Sequence, residues 1–125
     1  MSKTIFFSVL SILIITLSAI DARAEEKPSV IEGERIYMHY CASCHGDKGD
    51  GRGFNAKNLD PRPAAHTDRE FMSKRSDKDL YDAVTGGGRA IGKATLMPPW
   101  GGVLSDAGAG SVVMYLRKLC GCTGP

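Results

Sequence analysis

The spacing of apolar and polar residues predicts a chain of short helices. From Val30, apolar and aromatic side chains recur at helical spacing, and Ser29 just before them is a suitable N-cap. Similar helix starts occur at Thr67, Ser76 and Ser105, and the last two precede clear apolar stripes. No segment shows the alternation of a half-buried strand. The pattern therefore predicts an all-α fold of about four short helices.

Two irregular stretches interrupt this pattern. Residues 46–65 are rich in Gly, Asp, Asn and Pro, which predicts a long loop, and such loops usually are either disordered or functional. Three glycines at 86–88 predict the end of the helix that starts after Ser76, and residues 89–100 are again irregular. Gly33 lies inside the first predicted helix at a cost of roughly 0.5–1 kcal/mol relative to alanine, which suggests that another backbone approaches closely there. A tolerated glycine on the helix surface is the alternative.

The first residues have the three parts of a secretory signal. Lys3 provides the positive start, residues 5–20 are mostly apolar, and a small-x-small cleavage site ends at Ala24. The apolar run is shorter than the roughly 20 residues that span a bilayer comfortably. We therefore expect a signal peptide at 1–24, one domain at 25–125, and a periplasmic or otherwise exported product without stable membrane insertion. An uncleaved membrane anchor is the alternative.

Composition narrows the function only slightly. The chain has 125 residues, with 16 basic and 14 acidic side chains and a formal charge of +2. Such a balance gives no indication of nucleic-acid binding. A domain of this size can bury only a limited apolar core. A large apolar cofactor would therefore contribute to the core.

The clearest chemical signal is the run Cys-Ala-Ser-Cys-His at 41–45, the attachment motif for c-type haem. The thiols of Cys41 and Cys44 would form thioethers with the porphyrin, and His45, on the same helix face, would be the proximal iron ligand. Two other interpretations are a redox dithiol and a zinc site completed by Cys120 and Cys122. The first lacks its usual βαβ context, and the second joins pairs far apart in sequence. One covalent haem c is the favoured interpretation.

The order of helix, haem motif, glycine-rich loop, short helices, Met-Pro loop and terminal helix resembles the class I c-type cytochromes, specifically small bacterial monohaem ones. The resemblance extends over roughly residues 33–119. It implies the cytochrome c fold, a one-electron carrier rather than an enzyme, and redox proteins as partners. It also implies that Met97, which precedes Pro98, is the distal iron ligand.

The same resemblance implies a contact between the first and last helices, with Gly33 and Tyr37 packed against Val112 and Tyr115. One feature has no counterpart in the general family pattern, the C-terminal Cys-Gly-Cys at 120–122. In an oxidising compartment these two cysteines are expected to pair with each other or with another molecule.

Two questions stay open at this stage. His66 lies in a loop and is a rival to Met97 as the sixth ligand, whereas Met72 and Met114 lie at helical positions and are expected to pack. Pro61 or Pro63 is expected to hold a loop carbonyl against the second ring nitrogen of His45. The alternative functions are a haem sensor or peroxidase-like enzyme with a labile sixth ligand, and an electron-transfer subunit of a larger oxidoreductase.

Overall fold

A computed structural model describes residues 26–125, so the predicted signal segment lies outside the described residues. Within them the chain is helical and contains no strand, which confirms the predicted all-α fold. The five helices are α1 (Val30–Tyr40), α2 (Ala42–His45), α3 (Arg69–Ser73), α4 (Asp77–Ala90) and α5 (Asp106–Cys120), with a 3₁₀ turn at Ala56–Asn58. None of the described helices is long and apolar enough to cross a membrane.

The helix starts follow the predicted caps, with one correction. The side chains of Ser29, Ser76 and Ser105 each accept a hydrogen bond from a backbone N–H in the first turn of α1, α4 and α5. The start predicted at Thr67 is wrong by one residue, because the Asp68 carboxylate accepts the N–H bond that caps α3. The Thr67 hydroxyl instead donates to a loop carbonyl.

The terminal helix α5 is the shared support of the domain. Among the described helices, α1 and α4 each pack against α5 and not against one another. The core consists of apolar side chains from all three. They are Ile36, Tyr37, Leu80, Val84, Val112, Val113, Tyr115 and Leu116, joined by Met72 from α3.

Gly33 lies where α1 crosses α5. A Cβ atom at Gly33 would clash with the Ser111 carbonyl and lie 3.0 Å from Cβ of Tyr115. The rings of Tyr37 and Tyr115 pack with centroids 5.2 Å apart. The predicted crossing is therefore confirmed, although the backbone nearest to Gly33 is that of Ser111 and not of the buried Val112 next to it. The cost of a glycine inside α1 is offset by this close packing.

The C-terminal cysteines form the first of the two expected pairings. Cys120, the last residue of α5, is bridged to Cys122, with their Cα atoms 5.2 Å apart. Gly121 between them has the left-handed conformation of a helix C-cap, with φ of 55°. Of the described cysteines, only Cys41 and Cys44 are free.

Candidate functional site

The two free cysteines lie at the junction of α1 and α2. The Cys41 N–H donates to the Tyr37 carbonyl at 2.8 Å, and the His45 N–H donates to the Cys41 carbonyl at 2.9 Å. These two bonds continue the helical hydrogen-bond pattern across Cys41, where α1 ends and α2 has not yet begun. Both thiols are half-buried. Burial, with a smaller contribution from Cys44, raises the pKa of Cys41 to about 11, so its thiol is protonated at neutral pH.

His45 is held through one ring nitrogen. Its Nδ1 lies 2.9 Å from the Ala64 carbonyl. A carbonyl oxygen can only accept, so Nδ1 carries the hydrogen and Nε2 keeps a lone pair for a metal. Burial lowers the pKa of His45, opposed by this bond, and favours the neutral ring. The expected loop carbonyl is thus present, and it belongs to Ala64, the residue after Pro63.

The glycine-rich loop is fastened to the backbone of the motif. Three loop amides donate to three motif carbonyls: Gly51 to His45 (2.8 Å), Gly53 to Cys44 (3.1 Å) and Asn55 to Ser43 (2.8 Å). A Cβ atom at Gly53 would lie 2.5 Å from the Ala42 carbonyl oxygen and 2.6 Å from the Ser43 carbonyl carbon. The loop can approach this closely only because that position is glycine. The composition of residues 46–65 predicted the loop, but no sequence pattern indicated that the loop packs on the motif.

His66 lies directly against His45. The two rings stack with centroids 4.2 Å apart and an angle of 18° between their planes. Nδ1 of His66 lies 3.3 Å from the hydroxyl of Tyr37, which in turn donates to the Gly46 carbonyl at 3.0 Å. Burial, followed by the neighbouring His45, lowers the pKa of His66 to about 3, so this ring is neutral. The sequence pointed to His66 as a rival ligand, and no pattern in it indicated this contact.

Met97 lies on a separate segment that is fastened to the end of α4. The Gly88 N–H donates to the Met97 carbonyl at 3.0 Å. Helix α4 is kinked at Gly87, which has φ of 71° and ψ of −175°, and a Cβ there would lie 2.7 Å from the same carbonyl. The prediction that the glycine run ends this helix is wrong by two residues, because only Gly87 leaves the helical conformation and α4 continues across the kink to Ala90. No sequence pattern indicated that Gly87 and Gly88 also contact the backbone of Met97.

The segment that carries Met97 also contacts the helix that leads into the motif. The Trp100 ring packs against Tyr40, the last residue of α1, with centroids 4.9 Å apart. The Trp100 N–H donates to the Val84 carbonyl of α4 at 3.0 Å. Met97 itself is half-buried. We call residues 91–100, with the end of α4 that holds them, the Met97 side of the domain, and the motif at 41–45 with its loop the motif side. The contact of Trp100 with Tyr40 joins the two sides.

The other methionines differ in burial. Met72 is fully buried in the core, as expected. Met114 is 41% exposed, so the expectation that it packs is wrong, because it occupies the outer face of α5. Met38 is also exposed, at 45%.

The available donor atoms fit haem c better than zinc. Residues 26–125 contain no group of three or more His, Cys, Asp or Glu side chains placed to hold a metal ion. Cys120 and Cys122, needed for the zinc interpretation, are bridged to each other. Two free thiols three residues apart and a neutral imidazole with one free nitrogen are the groups that covalent haem attachment requires.

Comparison with known proteins agrees with this chemistry. The family described as "Cytochrome C oxidase, cbb3-type, subunit III" matches residues 28–116. The chain belongs to this family. It is a c-type cytochrome of the class I monohaem kind, and it binds haem c covalently.

Two curated relatives belong to the same group. The cbb3-type cytochrome c oxidase subunit FixP of Bradyrhizobium diazoefficiens is 29% identical over 91 residues, which cover 72% of this chain and 27% of FixP. Subunit CcoP of Azospirillum sp. is 27% identical over 106 residues, covering 82% of this chain and 33% of CcoP. This c-type cytochrome thus spans about a third or less of the length of these relatives.

Solved structures show the same fold. A chain of the Kuenenia stuttgartiensis reducing HAO-like protein complex aligns with a TM-score of 0.59 and 26% identity, over 76% of this chain and 44% of that one. The KustC0563 c-type cytochrome aligns with a TM-score of 0.54 and 20% identity, over 73% of this chain and 96% of that one. The predicted cytochrome c fold is therefore confirmed.

Proposed function

We propose that this c-type cytochrome is an exported one-electron carrier, with haem attached to Cys41 and Cys44 and iron held by His45 and Met97. The observation that carries the proposal is the hydrogen bond from His45 Nδ1 to Ala64, which leaves Nε2 as an unprotonated donor. When bound, the haem supplies a ferric–ferrous couple, and a methionine thioether favours the ferrous state and raises the potential.

The placement of the rival residues supports Met97 as the sixth ligand. His66 is stacked on the His45 ring and lies beside it, so it is not placed to provide a second ligand that would have to come from a segment away from His45. Met72 is enclosed in the core. Met97 is half-buried in a loop whose path is fixed by Gly87 and Gly88.

The same placement favours a carrier over an enzyme or sensor. A peroxidase-like site needs an acid–base side chain at an open sixth position. His66 was the only candidate for that role from the sequence, and its ring is engaged by His45 and Tyr37. An iron held by both His45 and Met97 would suit electron transfer, because neither ligand would have to change in each cycle.

The partners we propose are redox proteins. The curated relatives are named as subunits of cbb3-type cytochrome c oxidases, so a role as the electron-transfer part of a larger oxidoreductase is the second candidate. A free carrier and an electron-transfer subunit would both use the same two iron ligands. They differ in whether the domain works alone or within an assembly.

The ligand proposal is tested with Met97→Ala and the matched control Met114→Ala, which removes an exposed methionine from α5. Ferric wild-type protein should show the long-wavelength sulfur-to-iron charge-transfer band, and its ferrous form should take up little carbon monoxide. Met97→Ala should lose the band and bind carbon monoxide, whereas Met114→Ala should match wild type. Ready uptake of carbon monoxide by wild-type protein would favour the sensor or enzyme interpretation instead.

A further inference from the structure

The imidazole of His45 needs more than one contact to have a fixed orientation. The hydrogen bond from Nδ1 to the Ala64 carbonyl fixes the position of one ring atom. A ring held at one edge can still tilt about that contact. A flat group against its face removes this freedom, and the His66 ring lies there at 4.2 Å and 18°.

His66 is itself held in place by Tyr37. The Tyr37 hydroxyl has one hydrogen, and its shorter contact, 3.0 Å, is to the Gly46 carbonyl, which can only accept. The hydroxyl oxygen is therefore left to accept from Nδ1–H of His66 at 3.3 Å. Tyr37 is completely buried and packs against Tyr115 of α5. The His66 ring is thus connected to the rigid crossing of α1 and α5.

A single short segment supplies both contacts to His45. Ala64 gives the carbonyl and His66, two residues later, gives the ring face. The N–H of the next residue, Thr67, donates to the Gly49 carbonyl at 3.1 Å. A Cβ at Gly49 would lie 3.4 Å from Cβ of His66 and 2.9 Å from a methyl group of Leu119, so the segment is closely packed.

We propose that His66 is a positioning residue that fixes the plane of the His45 imidazole, with Tyr37 holding His66 in register. The inference rests on the proposed function, because it takes His45 as an iron ligand. The plane of an axial imidazole sets the in-plane magnetic axes of a ferric haem. Its orientation is therefore visible in the paramagnetic shifts of the four haem methyl groups and in the electron paramagnetic resonance g-values.

The test compares four variants of the haem-loaded protein. His66→Phe keeps a flat ring, and His66→Leu fills a similar volume without one. Tyr37→Phe keeps the core ring and removes the hydroxyl that holds His66. The control, His39→Phe, changes an exposed histidine that packs against Tyr40 and has no contact with His45.

We expect His39→Phe to keep the haem methyl shifts and g-values of wild type. His66→Phe keeps the ring face but loses the hydrogen bond to Tyr37, so it should shift both only slightly. His66→Leu should change both, and Tyr37→Phe should shift them in the same direction by a smaller amount. All four should keep the sulfur-to-iron band, because none touches Met97. If His66 served only to fill the core, Leu and Phe would give the same result, so equal spectra for these two variants overturn the inference.

The two proposals can fail separately. If wild-type protein shows the band and the Leu variant keeps its methyl shifts, only the positioning role is wrong. If the wild-type g-values show two axial imidazoles, both the ligand assignment and the positioning role are wrong. Should His66→Leu fail to accumulate, unchanged methyl shifts in Tyr37→Phe are sufficient to overturn the inference.

Discussion

The segments that carry His45 and Met97 are held in different ways. The His45 ring is contacted directly, at Nδ1 by the Ala64 carbonyl and on its face by the ring of His66. Met97 is held through its backbone, whose carbonyl accepts from Gly88. A thioether is a weak acceptor on a flexible side chain, so its position depends on where the backbone places it.

This difference indicates which of the two proposed iron ligands would dissociate more easily. An imidazole fixed at its edge and its face should stay bound, whereas a methionine fixed only by its loop should be the ligand that exchanges. The two segments also rest on separate helices, α1 and α4, which both pack on α5 and not on each other. The contact of Trp100 with Tyr40 joins them at one place. Each side should therefore respond to its own substitutions.

The largest effect is expected from Gly87→Ala, which acts on the Met97 side. Gly87 has φ of 71° and ψ of −175°, a region essentially restricted to glycine. Its added Cβ would also press on the Met97 carbonyl and on the Pro98 carbonyl carbon, at 2.7 and 2.9 Å. Strain and overpacking should each cost about 1–3 kcal/mol. We expect a lower free energy of unfolding, a weaker sulfur-to-iron band and faster uptake of carbon monoxide.

The control for this variant is Gly92→Ala in the same segment. Gly92 also has a positive φ, 66°, but a Cβ there meets nothing within 4 Å. It should lose some stability, about 1 kcal/mol, and keep the charge-transfer band. Equal loss of the band in both variants would show that general loosening of the loop, and not the contact with Met97, displaces the ligand.

A smaller effect is expected from Gly53→Ala, which acts on the motif side. The backbone at Gly53 has no positive φ, so the penalty comes only from pressing Cβ against the carbonyls of Ala42 and Ser43. We expect a loss of about 1–3 kcal/mol in the free energy of unfolding. The sulfur-to-iron band should persist, because the Met97 segment is not touched.

Gly102→Ala is the matched control for Gly53→Ala, since its Cβ meets nothing within 4 Å and its φ is not positive. It should be neutral or slightly stabilising, by up to about 1 kcal/mol. Both variants are compared by denaturant unfolding of the haem-loaded protein. A Gly53→Ala protein that lost the band while keeping its stability would contradict the separation of the two sides.

The sequence predicted the elements of the site better than the contacts between them. Capping residues and apolar spacing are local, so the starts of α1, α4 and α5 could be predicted, and the cost of Gly33 pointed to a real helix crossing. The stacking of His66 on His45 depends on how a 20-residue loop returns to the motif, and no local pattern records that path.

The contact between Met97 and Gly88 is a second one that could not be predicted from the sequence. The Met-Pro sequence marked a candidate ligand, and the glycine run at 86–88 marked a helix end, but nothing in either pattern connects them. Their contact comes from the fold, which places the Met97 carbonyl on the N–H of Gly88. Glycines that look like breaks in a sequence can thus be seats for a neighbouring backbone.

The smallest effect is expected from removing the C-terminal disulfide, which tests whether the end of α5 supports the Met97 side or the motif side. The bridge joins residues only two positions apart, so it restricts the unfolded chain little, and its loss should cost about 1–2 kcal/mol. The end of α5 keeps other restraints without it. Arg117 donates to the carbonyls of Met72 and Arg75, at 3.0 and 2.6 Å, and pairs with Asp77.

We therefore expect the double variant Cys120→Ala, Cys122→Ala to unfold at slightly lower denaturant and to keep the sulfur-to-iron band and the haem methyl shifts of wild type. Unfolded, unreduced wild-type protein should show no reactive thiol, because two cysteines are bridged and the other two carry haem in our proposal. Two reactive thiols per chain would contradict the bridge. A lost band in the double variant would instead show that the end of α5 supports Met97, and the two sides would then share more than the contact of Trp100 with Tyr40.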